Sequence, residues 1–231
     1  MSSMSSKLDE IPLFRGAEPD VLRRYSGREI WASYEPGALV VDFDDVSTDV
    51  FFIVSGAVRA VVRTTGGRET ILGDLGAGQI FGEMSAIDDA PRSASISVLN
   101  RANVARLAGA TFVQLATESP IIALRLMRIL SARVRLGNAK LVEHSALTIR
   151  FRLYAELLRQ ARPRKAGSDE LIISPPPTQA ILGSKIGGRR EAVSREIADL
   201  LRRGVLTRTP AALVIAKPQW LREAIEHELE D

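Results

Sequence analysis

Residues 81–95, FGEMSAIDDAPRSAS, bring a glycine, a carboxylate and an arginine close together along the chain. Gly82 can adopt backbone angles that a side chain would forbid, which lets backbone amides approach an anion closely. Arg92 supplies a planar guanidinium whose paired donors fit phosphate oxygens. Glu83 accepts hydrogen bonds but donates none when it is ionised, so beside an anion it needs a donor such as a ribose hydroxyl. The segment therefore predicts a site for a small phosphorylated ligand that carries a sugar.

Seven residues of this segment follow one another in a defined order: Gly82, Glu83, Met84, Pro91, Arg92, Ser93 and Ala94. Their order resembles the phosphate-binding cassette of cyclic-nucleotide-binding domains. The resemblance implies that Glu83 binds the ribose 2′-hydroxyl, while Arg92 and Ser93 hold the cyclic phosphate. The residues alone leave one alternative open, a salt-bridged turn on the surface of a β domain.

The composition of the 231 residues narrows the class of protein. A hydrophobic content of 45% and a charged content of 26% are typical of globular proteins. Cysteine is absent and only His144 and His227 are histidines, so we expect no disulfide, no metal and no enzyme. The first residues, MSSMSSK, lack an apolar core, and no long apolar run follows. We therefore expect a cytoplasmic protein with no membrane partner.

Charge is unevenly distributed along the chain. The first 110 residues contain more Asp and Glu than Lys and Arg, whereas residues 111–147 and 148–231 are both basic. A basic second half favours nucleic acid as a partner. A solvated face rich in lysine and arginine would give the same counts.

Residues 30–107 alternate short runs of Val, Ile and Phe with glycine-containing turns, at residues 35–37, 55–56, 65–67 and 76–78. This spacing predicts many short antiparallel strands. Because no helical crossover lies between the runs, a closed or double-sheet roll is favoured over a parallel sheet. One or two short helices are expected before the roll, within residues 8–25.

Residues 111–147 have the pattern of a long helix. Apolar and small residues recur at spacings of four and three: Ala123, Met127, Leu130, Val134, Gly137, Leu141 and His144. This recurrence is typical of a coiled-coil seam and predicts a homodimer. The alternative is a helix that packs only on its own β-roll.

The last third of the chain has the order of a winged helix-turn-helix domain. A helix is predicted over residues 149–160 and a strand over residues 171–173. Thr178 is placed to cap a helix that ends at Ile186, and Gly187 and Gly188 form the turn before a second helix, residues 189–203. A hairpin wing over residues 205–216 and a helix over residues 219–229 complete the domain.

The second helix of this domain has one charged and one apolar face. Arg190, Glu191 and Arg195 lie on the predicted exposed side. Arginine binds guanine through two hydrogen bonds and glutamate accepts from the cytosine amino group, so this face can read a major groove. Gln179 and Arg189 are placed for phosphate contacts. The alternative is a solvated helix in a winged domain that binds protein.

Residues 190–195, REAVSR, which include Ser194, resemble the recognition helix of bacterial Crp/Fnr regulators. The resemblance covers nearly the whole chain and implies an α+β protein with three parts: an N-terminal jelly-roll that binds a cyclic nucleotide (1–110), a dimerisation helix (111–147) and a winged helix-turn-helix domain that binds double-stranded DNA (148–231). It also implies a TGTGA-like palindrome as the operator, and RNA polymerase as a further partner.

The identity of the effector base rests on Gly137 and Asn138. Cyclic-AMP receptors present a threonine and a serine to the adenine at the matching positions, and this chain departs from both. Asn138 carries donors and an acceptor, so it can bind adenine or guanine. We expect cyclic AMP, with cyclic GMP, another effector or DNA binding without any effector as alternatives. A ligand-sensing module whose winged domain contacts protein is the alternative from another class.

Overall fold

The structure, a computed structural model, describes residues 7–63, 67 and 69–230. Its contacts divide the chain into two compact units, residues 1–134 and 135–231. The turn expected at residues 65–67 falls mostly outside the described residues. In the described part of the chain, no helix is both long enough and apolar enough to span a membrane.

The first unit is built on an antiparallel sheet, as the alternation of apolar runs and turns predicts. Its path is β1-β6-β3-β4, with β2 paired to β6 and β5 paired to β3. The strands are β1 (Ile30–Tyr34), β2 (Leu39–Val41), β3 (Val50–Arg63), β4 (Glu69–Gly76), β5 (Ile80–Phe81) and β6 (Ser95–Leu107). The expected β-roll is therefore confirmed.

The long pairing of β3 with β6 changes register around Gly56. Gly56 has φ of +84°, and a Cβ at this position would lie 2.3 Å from the carbonyl oxygen of Arg101. Only glycine combines a positive φ with so close a backbone approach. This residue lets β3 bend and continue from one part of the roll into the next.

Two apolar clusters fill the first unit. Inside the roll, Phe51 on β3 stacks on Phe81 of β5 with ring centroids 4.8 Å apart. In the other cluster Phe52, the next residue of β3, faces Phe14 and Phe112. Successive residues of a strand point to opposite faces, so β3 contributes one aromatic ring to each cluster.

Short helices surround the sheet of the first unit. They are a 3₁₀ helix (Lys7–Glu10), α1 (Pro19–Tyr25), α2 (Glu83–Asp88) and α3 (Gly109–Glu118), followed by the long α4 (Pro120–Ala146). The expectation of one continuous helix over residues 111–147 was wrong, because the helical conformation is interrupted at Ser119, between α3 and α4. Proline lacks an N–H and disfavours helical angles in the residue before it, and here Pro120 follows Ser119.

The side of α4 that the structure leaves exposed differs in part from the predicted seam. Met127, Val134 and Leu141 are exposed, with 58%, 62% and 69% of their surface accessible, and Leu124 joins the same row at 45%. Leu130 is instead half-buried against the core of the first unit. A spacing of three or four residues fits two adjacent faces of one helix, so the place of Leu130 in the seam stays a prediction.

The second unit contains the end of α4, four further helices and a small sheet of order β7-β8-β10-β9. Its elements are α5 (Ile149–Gln160), β7 (Arg162–Pro163), β8 (Leu171–Ile173), α6 (Gln179–Ile186), α7 (Arg190–Arg202), β9 (Leu206–Thr209), β10 (Ala212–Ile215) and α8 (Pro218–Glu230). The Thr178 hydroxyl caps α6 by accepting from the amide of Ile181 at 3.2 Å. Gly187 ends α6 with φ of +67°. The helix, turn, helix and hairpin order matches the sequence expectation.

Candidate nucleotide-binding and DNA-binding sites

The turn between β5 and α2 requires glycine at position 82. Gly82 has φ of +81°, and a Cβ there would lie 2.6 Å from both Arg92 Nη1 and the carbonyl oxygen of Asp49. The missing side chain lets the guanidinium reach the backbone of this turn, where Arg92 Nη1 donates to the carbonyl oxygen of Gly82 at 2.9 Å. The sequence pattern therefore brings Gly82 and Arg92 into direct contact.

Arg92 is 3% exposed and each of its guanidinium nitrogens donates to the protein. Besides Gly82, the acceptors are the Ser47 hydroxyl, 3.1 Å from Nε, and the Asp49 carbonyl oxygen, 2.8 Å from Nη2. Burial lowers the pKa of Arg92, and the neighbouring acidic side chains oppose that change. Each Nη atom carries a second N–H, so the fixed guanidinium retains donors for an anion.

Backbone bonds hold Arg92 to the loop between β2 and β3. Its amide donates to the carbonyl oxygen of Asp45 at 2.8 Å, and its own carbonyl oxygen accepts from the amide of Asp44 at 3.0 Å. Further along the loop, the Asp49 carboxylate accepts from Arg106 Nη1 at 2.7 Å. These contacts fix the arginine's position before any ligand is bound.

Glu83, the first residue of α2, is 1% exposed. Its Oε1 accepts from Nη1 of Arg133 on α4, and Arg133 Nη2 donates to the carbonyl oxygen of Ile80. Within the part of the chain that the structure describes, Glu83 Oε2 has no hydrogen-bond partner. A buried carboxylate oxygen without a partner is costly and is rare in native proteins. The oxygen is available to a donor from a ligand.

Arg133 was missed by the sequence reasoning, although a signal for it exists. Ile129 and Leu130, four and three residues earlier, pack against the core of the first unit. Residues at these spacings share a helix face, so Arg133 lies on the side of α4 that turns toward the roll. A basic residue on that face can act as the counter-charge of Glu83, which the structure shows to be buried.

The remaining cassette residues are more open. Ser93 is exposed and its hydroxyl lies 3.9 Å from Met84 Sδ, while Met84 is itself 47% exposed. Ala94 is half-buried. Asn138 lies on α4 in the second unit with an exposed side chain. Its expected contact with the base stays a prediction.

The chemistry available at the cassette is recognition of an anion and of a hydroxyl. Arg92 supplies a fixed positive charge with directed donors, and Glu83 supplies a buried acceptor. No group of three or more His, Asp or Glu residues capable of holding a metal ion occurs among the described residues.

The predicted DNA-reading residues lie on one helix of the second unit. Arg190, Glu191 and Arg195 are exposed on α7, whereas Val193 and Ile197 are buried beneath them. The structure thus confirms the two faces expected for this helix. It leaves the contacts with bases untested.

The other residues predicted to bind DNA flank this face. Arg189 is exposed and occupies the N-cap position of α7 without a side-chain capping bond. Gln179, the first residue of α6, and Ser194 on α7 are half-buried. Their assignment to phosphates or bases remains a prediction.

Arg152 connects the end of α4 to the helix-turn-helix within the second unit. Its Nε donates to the carbonyl oxygen of Leu147 and its Nη1 to that of Ile186, both at 3.1 Å. Nη1 also lies 2.9 Å from Nδ1 of His144. Burial, followed by the charge of Arg152, lowers the pKa of His144. The neutral ring fits beside Gly187, whose added Cβ would lie 3.1 Å from its Cε1.

Charged side chains also connect α4, α5 and α6, the helices whose residues Arg152 contacts. Arg159 on α5 donates to Glu143 on α4 and to Glu156 on α5. Glu156, 3% exposed, also accepts from Gln160 Nε2 at 2.8 Å and lies 3.7 Å from Lys185 Nζ on α6. Glu156 has local i,i+3 and i,i+4 spacing with Arg159 and Gln160 on α5. Glu143 and Lys185 come from other helices, and no local spacing in the sequence indicates them.

Two family models match this chain. One is described as a cyclic nucleotide-binding domain and matches residues 31–119, a range that contains the cassette. The other is described as a Crp-like helix-turn-helix domain and matches residues 151–224, a range that contains α6 and α7. The first match lies within the first unit and the second match lies within the second unit.

Similar full-length proteins include two named for cyclic AMP. The chain is 26% identical over 204 residues to a CRP-like cAMP-activated global transcriptional regulator of Mycobacterium tuberculosis, covering 87% of this chain and 90% of that protein. It is 28% identical over 215 residues to the cyclic AMP receptor protein of Thermus thermophilus, covering 92% and 95%. Among solved structures, a CooA mutant from Carboxydothermus hydrogenoformans has a similar fold, with a TM-score of 0.76, 19% identity and coverage of 97% and 98%.

Replacing Arg133 with methionine should destabilise the first unit by about 3 kcal/mol, because Glu83 would keep a buried charge without its partner. Combining this change with Glu83→Gln should recover most of the loss. The measurement is urea unfolding followed by Trp31 fluorescence, with Trp220→Phe in every protein.

Arg128→Met, at an exposed position of the same helix, is the matched control and should change the free energy of unfolding by no more than about 0.5 kcal/mol. A double variant that is as unstable as Arg133→Met alone would show that the ion pair is not what Arg133 contributes.

Proposed function

We propose that this chain, which belongs to the Crp/Fnr superfamily of transcription regulators, responds to cyclic AMP and binds a TGTGA-like palindrome as a homodimer. Proteins of this superfamily combine a cyclic-nucleotide-binding domain with a DNA-binding helix-turn-helix domain. In this proposal residues 1–110 bind the effector, residues 111–147 dimerise and residues 148–231 bind DNA. The protein acts in the cytoplasm on DNA and RNA polymerase and is not an enzyme. A relative that matches over 90% of its length is named a transcriptional regulator, which supports the DNA-binding and non-enzymatic parts of this proposal.

The observation that carries the effector site is the unpartnered oxygen of Glu83. Oε1 is held by Arg133, so the carboxylate is fixed, and the buried Oε2 can accept one further hydrogen bond. A ribose 2′-hydroxyl supplies that donor, and hydrogen bonds to a charged group stabilise by about 1.5–3 kcal/mol. The ligand therefore satisfies an atom that the free protein leaves without a partner.

Arg92 supplies the positive charge for the proposed cyclic phosphate. Asp45, Asp49 and Glu83 all act on its guanidinium. Asp49 and Glu83 are themselves paired with Arg106 and Arg133, so the charge of Arg92 remains for an anion. Ser93, with its exposed hydroxyl, is the second group of the proposed phosphate site.

Two observations bear on the base and on the need for an effector. Relatives with 26% and 28% identity are named for cyclic AMP, which supports that nucleotide over cyclic GMP. The second candidate is DNA binding without an effector. It is favoured by the protein acceptors that already hold Arg92 and by the ion pair that already holds Glu83.

Wild-type protein should bind cyclic AMP more tightly than cyclic GMP, and 2′-deoxy cyclic AMP at least about tenfold more weakly than cyclic AMP, because the hydroxyl donor to Glu83 is missing. Isothermal titration calorimetry gives all three affinities without altering the protein. Arg92→Leu should abolish binding at micromolar ligand, and Arg92→Lys, which keeps the charge but loses the planar fork, should bind weakly.

Equal affinities for cyclic AMP and its 2′-deoxy analogue would remove Glu83 from the site. If wild-type protein binds neither cyclic nucleotide, the effector proposal fails and DNA binding without an effector becomes the better candidate. Circular dichroism of both Arg92 variants is the control for folding.

The proposed dimer rests on the exposed apolar row of α4. Leu124, Met127, Val134 and Leu141 are separated by three, seven and seven residues, a heptad spacing that keeps them on one face of the helix. Large apolar side chains so arranged are stabilised when a second copy of the helix covers them.

Met127→Glu combined with Val134→Glu should convert a dimer to a monomer, because each change places an unpaired charge in an apolar contact. Multi-angle light scattering measures the mass. Ala132→Glu, exposed on the same helix but outside the row, should leave the dimer intact. A monomeric wild-type protein at micromolar concentration would contradict the proposal.

In the proposed DNA complex, Arg190, Glu191 and Arg195 read bases from the major groove. Gln179 and Arg189 contact DNA phosphates, and Ser194 also contacts the DNA. Two copies then reach half-sites about 34 Å apart, one helical turn of DNA. The exposure of the three reading residues on α7 supports this assignment. A winged domain that binds protein is the competing reading.

Glu191→Ala should relax the choice at one base pair by about 1–3 kcal/mol of discrimination, while Arg189→Ala should weaken binding to every sequence alike. Fluorescence anisotropy on a TGTGA palindrome and its single-base variants, with and without cyclic AMP at two salt concentrations, separates the two effects. Selection from random DNA extends the test to other operators. Absence of any preferred sequence would favour the protein-binding alternative.

A further inference from the structure

A groove of about 210 Å³ separates the start of α5 from one side of α7. Arg150 on α5 and the neighbouring residues Arg195 and Glu196 on α7 line it. Arg195 is one of the three proposed reading residues, so Glu196 places a carboxylate directly beside the DNA-reading face. Unlike Glu191, which is proposed to accept from a cytosine amino group, Glu196 has no proposed base partner, so its carboxylate would only repel the phosphates that border the major groove.

The structure holds this carboxylate through a buried tyrosine. Tyr154 on α5 is completely buried, and its hydroxyl donates to Glu196 Oε1. Burial, together with this bond, raises the pKa of Tyr154 to about 12, so the hydroxyl keeps its proton and remains a donor. The ring is fixed from behind by Trp220, with ring centroids 5.9 Å apart.

Arg150 completes the arrangement with a positive charge. Its Nε lies 2.8 Å from the Tyr154 hydroxyl oxygen and 3.1 Å from Glu196 Oε1. The Glu196 side chain is only 18% exposed, whereas that of Arg150 is 42% exposed. The carboxylate is therefore drawn toward α5 and neutralised there, and the guanidinium lies on the solvent side of the pair.

We propose that Arg150 and Tyr154 are positioning residues for DNA reading, which hold Glu196 against α5 and cancel its charge so that Arg195 meets DNA without a competing carboxylate. The inference rests on the proposed function of α7. It assigns an indirect role to Arg150 and Tyr154, neither of which belongs to the residues predicted to touch DNA. It also explains how an acidic residue is tolerated beside a reading arginine.

A direct contact between Arg150 and a DNA phosphate is the competing explanation, since the guanidinium is partly exposed. The two explanations predict opposite behaviour when Glu196 loses its charge. If Arg150 acts through Glu196, removing the carboxylate makes Arg150 dispensable. If Arg150 binds phosphate, its loss weakens DNA binding whether residue 196 is glutamate or glutamine.

The experiment measures the affinity of full-length protein for a DNA site selected by wild-type protein from a random pool. Arg150→Gln should weaken binding about tenfold, and Glu196→Gln alone should bind at least as tightly as wild type. The double variant Arg150→Gln with Glu196→Gln should return to within about threefold of wild type and keep the wild-type salt slope. Arg202→Gln, which removes an exposed Arg202–Asp199 pair from the same helix, is the matched control.

Tyr154→Phe gives a second readout, because it removes only the hydroxyl. We expect it to reduce discrimination between single-base variants, as α7 loses a fixed contact with α5, while the urea midpoint of each variant records any general loss of stability. A double variant as weak as Arg150→Gln, with a salt slope reduced by about one, would assign Arg150 to a phosphate and overturn the proposal. Unchanged binding by Arg150→Gln would overturn it as well. Failure of wild-type protein to select any site is a separate outcome, and it would remove the proposed function of α7 first.

Discussion

The ion pair between Glu83 and Arg133 is the interaction on which the proposed effector site depends. A carboxylate that is 1% exposed cannot remain charged in a protein interior without a nearby cation and hydrogen bonds. Arg133 meets this requirement at one oxygen only. The pair therefore holds Glu83 in one orientation and leaves its second oxygen without a partner among the described residues. Gly82, the residue before Glu83, accepts from the buried Arg92 through its carbonyl oxygen, so the three residues are held in place by protein contacts alone.

Much of this arrangement could be predicted from local sequence. Gly82, Glu83 and Arg92 are close in the chain, and their types restrict the chemistry they can share. The alternating runs predict the β-roll, and Thr178 with Gly187 predicts the helix-turn-helix, because caps and turns depend on single residues. Local patterns therefore indicate both units and the residues proposed for both sites.

The features that sequence reasoning missed involve residues far apart in the chain. Arg133 lies fifty residues after Glu83, and Arg159 meets Glu143 from another helix. The packing of Leu130 on the roll was also not predicted, because a spacing of three and four residues does not distinguish the face that packs on the roll from the face that stays exposed. The sequence contains a signal for the break before Pro120, since proline at that position disfavours a continuous helix.

Helix α4 carries charged contacts at two levels. Arg133 binds the cassette carboxylate in the first unit, and Glu143, ten residues later, binds Arg159 in the second. The two positions are about 15 Å apart along the helix, at 1.5 Å per residue. Both contacts use arginine, whose forked donors fix direction as well as charge. In each case the two Nη atoms of one arginine bind two different acceptors, so the forked guanidinium restricts how α4 can rotate within its own unit.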